Sequence, residues 1–412
     1  MGRRRTNNNT VPESQLETLP LIRDVEAYED LLDLLWEAPR IAFDTEFVPE
    51  RTYRPVLCLI QVATEEVCAA IDTLAIEDLS ELWEALTRPD VELVVHAARA
   101  ELGFCLENGG ALPPNIFDTQ LAAGIAGLGY PLSYTKLVKA LLNFEPRSAE
   151  TRTDWERRPL TDGQIEYALD DVRYLLGARD KIGARLEKLG RTPWYQEEMN
   201  RVSDGVKGDF ERGLDWRKTS GAGNLQGADL ACLRELAMWR AERAERLNRP
   251  LRHVMRDDQL VDLAKRKPRS QDDIDGVRGL GTLKQSRWAS GVFDAINRAL
   301  DMPREQWPDR KRRQGAPPTP DSVQKILSAI LKQAADDNEI ATSLVGTRED
   351  LKDTLTWHLL GRPKSSEPRL VRGWRGRVVG QTLMDLLDGR LLVGVIHSDK
   401  HGLELQFIED DE

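Results

Sequence analysis

An α/β layer sandwich followed by smaller all-helical units is the architecture this sequence predicts. Three observations lead there. Residues 40–100 hold four short strand-like runs, Ile41–Val48, Leu57–Ala63, Val67–Ile71 and Val91–His96, and helical patterns dominate from there to about Leu189. Between Lys218 and Gly227 the composition turns to Ser, Gly, Ala and Asn, which marks a linker. Beyond it Leu230, Leu233, Ala237, Ala241, Ala244 and Leu247 recur at three- and four-residue steps until Asn248-Arg249-Pro250 ends the helix.

A chain of 412 residues exceeds what one hydrophobic core usually serves, so several domains are expected. The boundaries fall into a disordered polar tail over residues 1–19, an α/β domain over 20–217, a helical domain over 228–303 and a last region over 320–412. The segment Gly315-Ala316-Pro317-Pro318-Thr319-Pro320 separates the last two. That last region opens with two helices and closes with the alternating runs Leu391–Ile396 and Leu403–Phe407, the pattern of a β-hairpin.

Composition removes several classes of function. The longest apolar runs are far shorter than the ~20 helical residues that cross a bilayer. Arg3, Arg4 and Arg5 are followed by no apolar stretch, so no signal peptide is expected and the predicted location is the cytoplasm, away from membranes. Cys58, Cys68, Cys105 and Cys232 form no CxxC pair and fit a reduced core, and the five histidines lack the paired spacing of a zinc site. A net charge of −11 argues against coating nucleic acid through an overall field. It leaves room for a nucleic-acid enzyme, which needs carboxylates for metals and only local basic patches for phosphates. Such patches occur at Lys265, Arg266, Lys267 and Arg269, at Arg310–Arg313, and between Arg362 and Arg377, although such a patch on its own is more often a solvated face or linker than a binding surface.

Chemistry concentrates in two places. In Ile41-Ala42-Phe43-Asp44-Thr45-Glu46-Phe47 the strand period puts Asp44 and Glu46 on one face and the bulkier apolar residues on the other. Two like charges there call for a divalent cation between them, or else for an edge strand with a solvated face. The second place is a helix opened by Thr161 and Gln164, a capping-box pair, with Ile165, Ala168, Leu169, Val172 and Leu176 as its apolar stripe. Tyr167 and Asp171, four apart, share a face nearly opposite that stripe. They could position a water beside a metal, or simply face solvent.

Together, Asp44-x-Glu46, the carboxylate Glu101 soon after the strand-ending His96, and Tyr167-x-x-x-Asp171 resemble the three motifs of DEDD-superfamily exonucleases in their tyrosine branch. Glu166 stands where the histidine branch would have its histidine. Phe43-Asp44-Thr45-Glu46-Phe47, Phe117-Asp118-Thr119-Gln120 and Arg152-Thr153-Asp154-Trp155 with Arg158-Pro159-Leu160 are similar to ribonuclease D in particular. Leu236-Ala237-Met238-Trp239-Arg240, Asn248-Arg249-Pro250, Asp258-Gln259-Leu260 and Gly279-Leu280-Gly281 resemble the HRDC module, and Gly373-Trp374-Arg375 a second, degenerate one.

The resemblance implies a ribonuclease H-like α/β exonuclease domain, an all-α HRDC domain and a smaller helical C-terminal region. It implies a 3′–5′ exoribonuclease that holds two Mg2+ or Mn2+ ions through Asp44, Glu46, Glu101 and Asp171, with Tyr167 orienting the attacking water. The implied partner is a single-stranded RNA 3′ end, such as that of a transfer RNA precursor, and the enzyme is expected to be a monomer. Glu101 departs from the family, which has aspartate there. An exonuclease acting on DNA and an RNA-binding protein that has lost catalysis are the competing readings.

Overall fold

The computed structural model describes residues 17–147, 153–212, 215–270, 273, 288–308, 320–396 and 402–408. Most of the expected polar tail, Arg152, Gly279-Leu280-Gly281, Arg310–Arg313 and the Gly315–Thr319 breaker lie outside them. The first domain is built on a six-stranded sheet: β1 (Glu17–Ile22), β2 (Arg40–Val48), β3 (Val56–Ala63), β4 (Val67–Ile71), β5 (Glu92–Val95) and β6 (Ile116–Asp118). Its order is β1-β4-β3-β2-β5-β6, with β2, β3 and β4 antiparallel and the remaining pairings parallel. The four expected strands are present, and two more flank them. β1 corrects the expected tail, since residues 17–19 pair with Val67, Cys68 and Ala69. Pro20 is tolerated there because the strand lies at the sheet edge.

The helices follow the sheet's alternation. α1 (Val25–Glu37) and α2 (Ser80–Thr87) pack together, and Trp83 of α2 meets Phe43 edge-on at 6.1 Å. The opposite face, carrying Ala42 and Asp44, is covered by α6 (Asp162–Arg173) and α7 (Leu175–Lys188). α3 (Arg99–Gly109), α4 (Thr119–Ile125), α5 (Tyr134–Leu142) and α8 (Thr192–Arg212) complete the domain.

The predicted linker is instead a structured arm. A tight 3-10 turn, Trp216–Lys218, leads into it, and its small residues make a second, Ala222–Asn224, with Gly221 at φ +92°. Trp216, Ala222 and Leu225 are buried in the core of the second domain, beside α9 (Gly227–Arg246). α10 (Leu251–Val254), α11 (Asp257–Arg266) and α12 (Ala289–Leu300) fill out that domain.

The last region comprises α13 (Asp321–Asp337), α14 (Thr342–Val345), α15 (Arg348–Leu359), α16 (Gly373–Arg375), a π turn over Gly376–Gly380 and α17 (Gln381–Leu387). The expected hairpin follows as antiparallel β7 (Leu391–Ile396) and β8 (Gly402–Phe407). This region does not stand apart. Leu327, Leu331, Leu355 and Trp374 belong to the same core cluster as the sheet. Arg375 ion-pairs with Glu198 of α8, and both side chains are 1% exposed. The guanidinium also donates to the carbonyls of Val345 (2.9 Å) and Leu344 (2.6 Å), and Trp374 stacks on Trp194 at 5.3 Å. Burial alone would raise the Glu198 carboxyl, but Arg375 and then Arg201 bring it down to about 2. Gly127, at φ +79°, lets the two parts meet: a Cβ there would lie 2.5 Å from the Glu339 carbonyl oxygen.

Removing one partner of a buried pair leaves an uncompensated charge, which costs about 3–5 kcal/mol. Arg375→Ala is therefore expected to lower unfolding stability by that amount, in a denaturant titration that follows the first domain as well as the last. A change below about 1 kcal/mol, the range of a surface ion pair, would show that the pair is not a keystone of the interface.

Candidate active site

β2 is an interior strand, which rules out the solvated-edge reading of Asp44 and Glu46. Parallel β5 pairs only with Arg40, Ile41 and Ala42, so the C-terminal half of β2 runs on past the end of β5 with β3 as its one neighbour. Asp44 and Glu46 project from this overhang on the side covered by α6. Each keeps part of its surface open, while protein encloses the carboxylate on most sides. Across the strand pair from Asp44 lies Gln61, fully buried, with no hydrogen bond to either amide atom among the described residues.

α6 carries Tyr167 and Asp171 over the sheet. The capping box forms as expected, Thr161 accepting from Gln164 N–H and the Gln164 side chain accepting from Thr161 N–H. The helix packs on β1, β2, β3 and β4, so the face expected to be free is turned toward the end of β2. Tyr167 stacks obliquely on Trp155 at 6.3 Å, one helical turn before Asp171. The neighbouring Asp170 turns away, ion-paired with Arg173. Just before the helix Arg158 makes a two-pronged bond to Asp72, at 2.7 and 2.6 Å, and donates to the Cys58 carbonyl at 2.9 Å. Arg158 thereby ties the start of α6 to the ends of β3 and β4.

Glu101 arrives from α3. The turn between β5 and α3 places Ala97 at φ +71°, a conformation a non-glycine residue holds only when the surroundings enforce it. Asp118 supplies that enforcement. Its carboxylate accepts the N–H groups of Ala97 and Ala98, both at 3.0 Å, and those of Gln120 and Leu121 at 2.8 and 3.2 Å. One side chain thus caps α4 and sets where α3 begins. His96 is a structural member of the same turn, bonded to Thr119 and to the Leu132 carbonyl, both at 3.0 Å. The sequence displays the words containing Asp118 and Arg158 without giving either residue a role. Their distant partners, 20 to 100 residues away, carry no local signal.

Burial raises the proton affinity of all four carboxylates, and neighbouring carboxylates of the set add to it for Asp44 and Glu46. Burial first, then Glu101, Asp171 and Glu46, holds Asp44 well above the usual carboxylate range. Burial followed by Asp171 and Glu101 pushes Glu46 up to about 8, and burial is the leading cause that takes Glu101 and Asp171 each to about 7. Glu101 Oε2 is buried with no hydrogen-bond partner among the described residues. The Thr45 hydroxyl lies near enough to lower its pKa slightly, though outside normal bonding geometry. Burial, Asp171 and Glu46 move the Tyr167 hydroxyl far above its ordinary value, so it is a hydrogen-bond donor at neutral pH. This all-oxygen, mutually repelling set suits a hard divalent cation. No three of these groups close into a ready coordination cage among the described residues, so ion binding would have to draw them together. Side chains rotate more cheaply than charges desolvate, so the repelling carboxylates and the orphaned oxygen mark the site better than their resting spacing does.

The chain matches family models along most of its length: a 3′–5′ exonuclease over residues 20–187, an HRDC domain over 229–296 and the ribonuclease D C-terminal HRDC domain over 318–383. It is 34% identical to ribonuclease D of Granulibacter bethesdensis over 93% of this chain and 96% of that one. The chain belongs to the ribonuclease D family. Ribonuclease D of Gluconacetobacter diazotrophicus is 33% identical over 91% of this chain and 94% of its own length. The crystal structure of Escherichia coli RNase D, described as an exoribonuclease involved in structured RNA processing, superposes with a TM-score of 0.77 at 29% identity. That match covers 90% of this chain and 98% of the other. As a ribonuclease D family member with this exonuclease domain, the protein is a 3′–5′ exoribonuclease that depends on divalent metal. No helix among the described residues is long and apolar enough to cross a membrane.

The raised carboxylates make a thermodynamic prediction. Glu46 moves from an ordinary 4.5 to about 8, so between those values the folded state binds more protons than the unfolded one. Stability must then fall as pH rises through that window. In chelator the melting temperature is expected to drop between about pH 4.5 and about pH 8, and the gain on adding Mg2+ or Mn2+ to grow over the same interval. A metal-induced gain that is flat with pH would show that the carboxylates do not bind the ion.

Proposed function

We propose that Asp44, Glu46, Glu101 and Asp171 hold two divalent ions, Mg2+ or Mn2+, and that Tyr167 orients the water that attacks the terminal phosphodiester of an RNA 3′ end. The observation that carries this reading is the buried, unpartnered carboxylate oxygen of Glu101 set against Asp44 and Glu46, whose charges oppose its own. Ions bound there supply positive charge to the attacking water and to the departing 3′ oxygen. Asp44 would share the hold on the ions with Glu46, Glu101 and Asp171. Tyr167 stays protonated, and its hydroxyl is available to orient the attacking water beside Asp171. Products are nucleoside 5′-monophosphates, released one at a time.

The E. coli relative's role in structured RNA processing supports transfer RNA precursors and other structured RNAs as substrates. The four cysteines, all free and buried, suit a reducing cytoplasm, and one chain carries the full site, in keeping with a monomer. End-labelled single-stranded RNA and matched DNA, with and without metal, test the assignment together. A one-nucleotide ladder on RNA alone is expected, and an equal ladder on DNA would make the enzyme a general exonuclease.

Asp44→Asn is expected to abolish cleavage while RNA affinity in chelator is retained, since the opposite face of β2 holds the strand. Residual activity above a few per cent at saturating metal would overturn the ligand assignment. Tyr167→Phe keeps the ring on Trp155 and loses one hydroxyl, so turnover should fall ~10²-fold with metal affinity unchanged. Glu101→Asp should lower activity although it restores the family's usual residue, because the Asp118-clamped turn fixes the start of α3 and the shorter side chain retreats from the site. Rate against metal concentration for Glu101→Asp and Glu101→Ala decides this, and full activity in Glu101→Ala would remove the residue from the ligand set.

A further inference from the structure

The HRDC domain forms part of the wall of the catalytic cleft. A cavity of about 740 Å3 opens beside the carboxylates, lined at one end by Glu46, Tyr167 and Trp155 and at the other by Arg252 and His253 of α10. That volume lies in the upper half of the ~300–1,000 Å3 range of sites that enclose a ligand. Both side chains on α10 are exposed. Arg51, also in the wall, is committed to Asp154 at 2.8 Å and to Glu156. Among the described residues Arg252 has only Glu50, at 4.0 Å, with both side chains mostly exposed, a pairing too weak to resist a competing anion.

The turn Asn248-Arg249-Pro250 explains how these residues come to stand there. Asn248 takes the left-handed conformation, φ +46°, that ends α9, and Pro250 caps α10. The Asn248 side-chain oxygen accepts the N–H of Tyr53, 3.2 Å away in the loop between β2 and β3. The Tyr53 ring packs against the core of the HRDC domain. The loop that leaves the catalytic strand is therefore bonded to the turn that presents Arg252 and His253.

We propose that Arg252 and His253 form a phosphate subsite that holds the RNA backbone upstream of the scissile bond. A strand whose 3′ end lies at Glu46 and Tyr167 must leave through this cavity. Among its lining residues the guanidinium of Arg252 and the imidazole of His253 are the basic groups not already committed to a carboxylate at close range. The subsite presupposes the carboxylate assignment for the direction in which RNA lies, and its binding energy does not depend on the metals.

The test is a double variant, Arg252→Ala with His253→Ala, compared with the unaltered enzyme on a dinucleotide and on a longer single-stranded RNA. The ratio of kcat/KM on the long substrate to that on the dinucleotide should fall roughly tenfold. Affinity for the long RNA, measured in chelator so that no cleavage intervenes, should fall alike, and its salt dependence should flatten by about 0.7 for each phosphate no longer held. Asn248→Ala should reproduce the loss with both side chains present, because their placement is released. An unchanged ratio with an unchanged salt slope overturns the subsite, as does an equal loss on both substrates, which would place the effect at the reacting end. Cleavage surviving in Asp44→Asn would sink the carboxylate reading while leaving the chelator measurement to stand on its own.

Discussion

Four carboxylates held at the end of β2 repel one another, and much of the first domain serves to keep them together. Each is better solvated in water, and each is pushed toward its protonated form by burial, Asp44 and Glu46 also by the others. The surrounding structure answers with three independent anchors. Phe43 and Trp83 hold the strand from behind, Arg158 on Asp72 holds α6, and Asp118 holds the turn before α3. These anchors fix the three elements whose spacing sets the site, the role that outer residues commonly play around metal ligands.

The parts of this site that are legible in the sequence are those with a period. Asp44 and Glu46 stand out because a strand alternates, and Tyr167 with Asp171 because a helix repeats near four. Glu101 becomes visible only through the motif around it, since a lone glutamate on a helix has no period of its own. Asp118, Arg158 and Gln61 carry no readable role because what matters about them is a neighbour far along the chain. The strands follow the same logic: β2 to β5 have enough residues to show a pattern, whereas β6 has three and β1 contains a proline.

Composition misleads where small residues suggest a loose connection. In the arm that leads into α9, Thr219, Ala222 and Leu225 are buried, and Trp216 anchors its start. Gly and Ala serve there to turn tightly against a core, a purpose that composition alone does not separate from flexibility. Independence of the last region is a similar expectation that packing overrides. Trp374 and Arg375 sit among glycines and arginines that suggest a surface, and they are among the largest fully buried side chains of the protein.

The Glu198–Arg375 pair closes the polypeptide on itself. Residues 215–308 lie between two stretches of chain that share one core, so the HRDC domain is leashed at both ends rather than trailing from one. A module leashed twice gives up much of its freedom to swing and stays at a high effective concentration over the cleft. The Asn248 bond to Tyr53 adds a third tie, to the loop that leaves β2. The HRDC domain is therefore held beside the first domain rather than free to drift from it.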